Sequence, residues 1–338
     1  MNKSCLIGFL MCSAFSLVVQ AATDGAHITK TISQIERKKG IKRTIQYRPD
    51  GNDFVCVNGK NRYTRALYGG ITDFRIETSD RPVFAAYKPK DSKHICFRLQ
   101  CGNQSIALDS LKFCEARYRA GRRTYRLTDP LLGKGELNIS VLAFPDAEGG
   151  IWRFTMKDMP EGALLHCYIS EIRAKNLSRN GDMDADRADS FDAPQLPKEQ
   201  KHYKLSLDGT TAYIVVEDQE LRLPALVEGT SLYDKSEKWR SEIESSLQIS
   251  TPDPYFNPLG GALAAAADGI WDGKIWLHGA IGWRSQLNGW RAAYIGDFIG
   301  WHDRARTHFD SYAASQVTDV PATIPHPTQA VSYTHLTL

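Results

Sequence analysis

The sequence predicts a large antiparallel β-sandwich followed by a helical region, and three observations carry that expectation. Between about residues 40 and 220, short alternating runs recur, punctuated by Asp-Gly, Asn-Gly, Gly-Gly and Pro. Apolar residues then shift to helical spacing over 231–247, and an alanine-rich run follows from Leu259 to Ala267. A period of two marks strands and a period near 3.6 marks helices, so β elements should precede α elements.

The chain opens with Lys3, an apolar run from Cys5 to Val19, and the small-residue pattern Val19-Gln20-Ala21. This reads as a signal peptide over 1–21, cut after Ala21. Phe9-Leu10-Met11 before Cys12 is too bulky for lipid attachment, so a periplasmic or secreted product is expected. Lys3 leaves with the leader, and 42 Lys+Arg become 41 against 39 Asp+Glu. So small and even a balance builds no basic stripe, and no nucleic-acid partner is expected. Beyond the leader no apolar stretch reaches the roughly 18 residues of a membrane span, so no membrane insertion is expected. Cys56, Cys96, Cys101, Cys114 and Cys167 remain at irregular spacing. They read as buried thiols, with one disulfide as the alternative, and not as a zinc site.

The runs Thr44–Arg48, Phe54–Val57, Val83–Tyr87, Ile95–Leu99, Leu137–Val141, Trp152–Met156 and Tyr213–Val216 read as strands. Pro49-Asp50-Gly51, Asn58-Gly59 and Asp208-Gly209 read as the turns that join antiparallel neighbours. The sandwich is assigned to 25–228. Within it, Asp182, Asp184, Asp186, Asp189 and Asp192 form an acidic segment that invites a calcium reading. Arg187 stands where an EF-hand needs glycine and no glutamate closes the loop, so the segment reads as a solvated or substrate-facing loop. Neither a metal site nor a cofactor is assigned.

A linker helix is expected within 229–251, with Leu232, Trp239, Ile243 and Leu247 on one face and Lys235, Glu237, Lys238, Arg240, Glu242 and Glu244 on the other. Trp239 should be at least half buried. Pro252 and Pro254 break this helix, and Asn257-Pro258 supplies an N-cap and a first-turn proline for the next. A further helix is expected from about Phe298 to Ala314, within a helical region spanning 252–329. The end, Val331 to Leu338, has neither periodicity nor a cap, and 330–338 read as an artefactual translated-adapter tail.

Five of the seven tryptophans fall between Trp271 and Trp301. Trp271 and Trp276 read as core. Trp283-Arg284 and Trp290-Arg291 lie amid Gly282, Ser285, Asn288 and Gly289, which is loop chemistry, and read as ligand contacts. Aromatic faces stack on sugar C–H surfaces while charged groups bond the hydroxyls, so this stretch points to carbohydrate. Asp297, between Gly296 and Phe298, has no structural partner in the sequence and reads as a substrate-binding or catalytic carboxylate. Asp303 precedes Arg304 and Arg306, so an ion pair or cap competes with catalysis there. His302 and His278 are possible donors to hydroxyls. Nucleophile-elbow, phosphate-loop, paired-histidine zinc and dinucleotide motifs are absent from the sequence.

The order of sandwich, linker helix and helical region, with Asn180-Gly-Asp182, His278-Gly-Ala, Trp283-Arg284, Gly289-Trp290-Arg291 and Gly300-Trp301-His302-Asp303-Arg304, resembles secreted bacterial proteins of domain-of-unknown-function family 4450. The resemblance covers nearly all of 25–329. It implies a six-hairpin glycosidase-like architecture, a β-sandwich leading into an (α/α)6 toroid, of which this chain would hold only the first hairpins. The expected function is that of the N-terminal fragment of a secreted glycoside hydrolase, acting on a plant or host polysaccharide by carboxylate acid/base chemistry. Asp297 and Asp303 are the candidate catalytic residues, with a principal acid expected downstream and the fragment itself expected to be inactive. Trp283, Arg284, Trp290, Arg291, Trp301 and His302 are the candidate substrate contacts. The alternatives are a polysaccharide lyase, with Tyr294, His302 or Arg291 serving β-elimination, and a noncatalytic periplasmic glycan-binding protein.

Overall fold

The computed structural model describes residues 46–175, 177, 188–278 and 289–314. Among the described residues, fifteen strands, numbered along the chain, form two antiparallel sheets. The first sheet contains β1 (Arg48–Asp50), β2 (Asp53–Val57), β8 (Phe113–Arg119), β9 (Arg122–Thr128), β10 (Glu136–Ala143), β11 (Gly149–Lys157), β14 (Thr211–Glu217) and β15 (Glu220–Arg222), in that spatial order. The second runs β13 (Gln200–Ser206), β12 (Leu164–Glu171), β6 (Lys93–Cys101), β5 (Val83–Tyr87), β4 (Arg75–Thr78) and β3 (Arg65–Tyr68). β7 (Gln104–Ala107) shares an edge of β6 with β5, each pairing with a different part of it.

Alternation sorts each strand's side chains between the core and the outer faces. On β6, Ile95, Phe97 and Leu99 enter the core, and on β12 Leu165, Cys167 and Ile169 do the same. The sheets meet through aromatic rings placed edge to face. Phe84 of the second sheet stands 5.7 Å from Tyr125 and 5.6 Å from Trp152 of the first, and Phe97 stands 5.5 Å from Phe154. Such pairs add about 0.5–1.5 kcal/mol each beyond the area they bury.

Four helices follow the strands among the described residues: α1 (Leu226–Ser245), α2 (Leu259–Asp268), α3 (Gly289–Phe298) and α4 (His302–Ala314). α1 lies on the outer face of the first sheet, against β10, β11 and β14. Gly229 touches the Tyr213 ring there, Tyr233 and Ser140 share a hydroxyl hydrogen bond of 2.7 Å, and the Arg153 guanidinium sits 3.8 Å from the Tyr233 ring centre. Arg119 and Arg122 of the β8–β9 turn pair with Glu244 and Glu237, which fixes the second half of the helix.

Several local expectations need correction. Of the three turn signals, only Pro49-Asp50-Gly51 closes a hairpin, between β1 and β2. Asn58-Gly59 and Asp208-Gly209 carry the chain from one sheet to the other, because turn residues set the local reversal of the backbone and not which sheet the next strand joins. Arg240, assigned to the solvated face of α1, is buried between Glu237 and Glu244, and Tyr233 leads the packed face in place of Leu232. Trp239 is mostly buried, as expected, beside a cavity of about 90 Å³ that also touches Tyr68 and Tyr118.

α2 begins one residue later than expected. Pro258 holds the cap position, and the Asn257 side chain accepts instead from the Thr251 amide at 2.8 Å. Phe298 ends a helix and does not begin one, because Gly300, at φ 85°, stops α3 and lets α4 start at His302. The five cysteines are free thiols, buried or half-buried. No helix among the described residues is long and apolar enough to cross a membrane.

Candidate functional site

The α3–α4 corner is built by a glycine stop. The Trp301 amide donates to the Gly296 carbonyl at 2.7 Å and the Gly300 amide to that of Asp297 at 3.1 Å, the paired bonds that close a helix through a left-handed residue. The corner sets Asp297, near the end of α3, beside His302, the first residue of α4. His302 Nδ1 and Asp297 Oδ1 lie 2.7 Å apart, with 66% and 70% of the two side chains exposed. Asp297 thus has a partner that the sequence did not disclose. A carboxylate only accepts, so the contact takes a hydrogen bond from the imidazole Nδ1–H.

The same end of α3 carries exposed aromatic surface. Tyr294 and Phe298 are 67% and 82% exposed, and with Asp297 they occupy positions three and four residues apart, on one side of the helix. Gly296, between them and turned inward, lies against the Trp276 ring, where a Cβ would overlap it. That contact seats α3 and so locates Asp297.

Behind the corner lies a packed aromatic group. Trp276 is buried, its ring 4.7 Å from that of Trp271, its backbone amide donating to His308 Nδ1 at 3.0 Å and its indole N–H to the Ala267 carbonyl at 3.1 Å. The expectation that Trp271 and Trp276 serve packing agrees with this. Trp301 is half-buried. Its indole N–H donates to Ser246 Oγ at 3.3 Å, and the Arg304 guanidinium stands 4.3 Å from the ring centre. Arg304 also lies 5.6 Å from the Trp271 ring and pairs at 2.7 Å with Asp268, an almost fully buried carboxylate. Burial pushes the Asp268 carboxyl above its ordinary value, and Arg304 pulls it partly back.

The remaining expected site residues divide as follows. Trp283 and Arg284 lie outside the described residues. Trp290 and Arg291 fall in the first turn of α3 and not on a loop: Gly289 stands at the start of the helix, where glycine costs little. Asp303 is exposed in the first turn of α4, where a carboxylate faces the positive end of the helix dipole. Arg304, weighed as a neighbour for Asp303, reaches Asp268 instead. His278 is exposed. In the acidic segment, Asp182, Asp184 and Asp186 lie outside the described residues, whereas Asp189 pairs with Arg173 and Asp192 with Arg62. Among the described residues no group of three or more His, Cys, Asp or Glu is placed to hold a metal ion.

Sequence reasoning passed over Asp268 and Ser246. A signal for the first existed: an acid closing an alanine-rich helix opposes the helix dipole and asks for a cation, although nothing local says which.

A family model described as a domain of unknown function, DUF4450, matches residues 89–216, from the second sheet's β6 to β14 of the first. No curated protein matches the sequence. Among solved structures, a bacterial glucoamylase complexed with acarbose is similar with a TM-score of 0.40 at 9% identity, over 77% of this chain and 53% of the glucoamylase. The chain therefore spans about half the length of that protein.

Proposed function

We propose that this chain is part of a secreted carbohydrate-active enzyme, a glycoside hydrolase, in which a glycan lies along the α3–α4 corner. In this reading the four helices open an (α/α)6 toroid behind the sandwich. The observation that carries the reading is the exposed Asp297–His302 pair beside the exposed Tyr294 and Phe298. Sugar recognition needs flat apolar faces next to fixed hydrogen-bonding groups, and the corner offers both. Asp297 acts on the glycosidic bond or holds a hydroxyl, with Asp303 one residue beyond His302 on α4. Trp283, Arg284, Trp290 and Arg291 are proposed as further substrate contacts.

A second reading, glycan binding without catalysis, is favoured by one detail. The contact of Asp297 is an imidazole, whereas hydrolysis calls for a second carboxylate across the bond. One set of measurements separates the two. Binding of neutral and acidic oligosaccharides is followed by calorimetry, and reducing-end release is assayed alongside, for the full-length protein of which this chain is part and for its Asp297→Asn and Trp290→Ala variants. Hydrolysis predicts reducing ends that Asp297→Asn abolishes; pure binding predicts heat without reducing ends. Trp290→Ala should weaken binding about tenfold in either case. Binding and turnover unchanged in both variants, with both folded, would remove the corner as the site.

A further inference from the structure

At one end of the sandwich, away from the helices, the connection from β2 to β3, the β4–β5 turn and the short 3₁₀ turn Leu108–Ser110 border a cleft of about 510 Å³. That volume falls within the range of about 300–1,000 Å³ usual for small-molecule sites. Its charge is one-sided: Lys60, Arg62, Arg81 and Lys112 line it against a single carboxylate, Asp109.

The two arginines are fixed in place. Arg81 donates to the carbonyls of Gly59, Asp109 and Leu111 at 3.2, 3.0 and 2.7 Å, and to Asn58 Oδ1 at 3.3 Å. All four acceptors are neutral, so its charge is held without being cancelled. Arg62 is spread between Asp109 and Asp192. Lys60 and Lys112 stand exposed at the mouth. Asp109 and Asp192 pair with Arg62, and Asp129 accepts from the Lys112 amide at 2.8 Å, so three carboxylates stand against the four cations.

The backbone of the first wall is strained, which is an independent observation. Asn58 and Tyr63 adopt φ values of 50° and 51°, the left-handed region that a buried aromatic residue rarely enters. Between them, Gly59 is squeezed so that a Cβ would lie 2.5 Å from the Asp80 carboxylate and 2.6 Å from Cys56 Sγ. Tyr63 is held in this conformation by its backbone amide, which donates to Ser79 Oγ at 2.9 Å, and by its hydroxyl, which donates to Asp192 at 2.9 Å. Strain that a surrounding structure over-determines collects where a loop must present groups in a set geometry.

We propose that this cleft binds an oxyanion borne by a small ligand, with Arg81 and Arg62 as the fixed positive floor and Lys60 and Lys112 as its mobile jaws. The shared chemistry is a carboxylate, sulfate or phosphate group, which guanidinium and ammonium donors recognise through charge-assisted hydrogen bonds. The site is independent of where a glycan sits on the helices.

The test is calorimetry on the full chain at low ionic strength with three probes: inorganic sulfate, inorganic phosphate and a trigalacturonate, with a neutral trisaccharide as control. At least one oxyanion should bind and the neutral sugar should not. Lys60→Ala/Lys112→Ala should weaken that binding about tenfold or more, and added salt should weaken it in the wild type. Both lysines are exposed, so the double variant should keep the wild-type melting temperature. Trigalacturonate bound about tenfold more tightly than either inorganic ion assigns the site to acidic sugars; comparable binding assigns it to free oxyanions. No heat from any of the three at millimolar concentration, or unchanged affinity in the double variant, would overturn the proposal.

Discussion

Replacing Arg304 by methionine would leave the Asp268 carboxylate buried without its cation. Breaking a buried ion pair by removing one partner costs about 3–5 kcal/mol. Arg304 keeps 28% of its side chain exposed, so water partly screens the pair and about 2–3 kcal/mol is the better expectation. The lost stack on Trp301 adds about 0.5–1 kcal/mol, part of which the methionine restores by packing.

Protonation separates the charge effect from packing. Burial raises the folded-state value of Asp268 above its ordinary 3.8, so the folded protein binds that proton more tightly than the unfolded chain. The penalty for the buried charge is therefore absent below 3.8 and fully present once the pH exceeds the folded-state value. Removing Arg304 raises the folded-state value further. The variant's loss should be greatest at neutral pH and fall below about 1 kcal/mol near pH 4, where only the lost stack remains. Urea denaturation at both pH values, followed by tryptophan fluorescence, reads this directly because Trp271, Trp276 and Trp301 surround the pair. Arg304→Met/Asp268→Asn should recover most of the loss at neutral pH. Equal losses at both pH values, or no recovery in the double variant, would refute the reasoning.

Other outcomes follow from packing and titration. Gly229→Ala adds helix propensity worth about 1 kcal/mol, but the new Cβ overlaps the Tyr213 ring, so net destabilisation is expected in chemical denaturation. Phe84→Ala removes a ring that meets three others and should cost about 3–5 kcal/mol by the same measurement. His166 titrates below its ordinary 6.5, chiefly through burial and then through His202, Lys204 and Arg98, so the unfolded chain takes up its proton first. Stability should fall as the pH drops below 6.5, and His166→Gln should make that fall in melting temperature shallower. Asp297→Asn removes one partner of an exposed pair and should shift stability by less than about 1 kcal/mol, so a lost activity in that variant would report function and not folding.

Five inner strands, β5, β6, β10, β11 and β14, were legible because they carry unbroken apolar or alternating runs. β8 and β9 were not anticipated. Their half-buried, outward positions carry Arg117, Arg119, Arg122 and Arg126, whose partners, Glu115, Glu136, Glu237, Glu244 and two aspartates of the β1–β2 hairpin, come mostly from other elements. At the candidate site, the residue types around Asp297 were readable from the sequence, whereas its pairing with His302 was not. That pairing depends on where α3 stops, and Gly300 moved the helix boundary by several residues from where the pattern had set it. The Arg304–Asp268 pair spans two helices, and local charge spacing holds no information about it.

The way the two sheets end bears on how the chain behaves among copies of itself. A strand with unpaired amides and carbonyls on one side is a template for another chain, and a sandwich this wide presents several such borders. Among the described residues, the first sheet terminates in β1 and β15, three residues each, and one border of the second is β3, four residues beginning at Arg65. The longer border, β13, carries Lys201 and Lys204, and a second copy docking in register would bring like charges together. Each border is therefore too short or too charged to propagate. At these borders the addition of strand to strand into fibres is disfavoured.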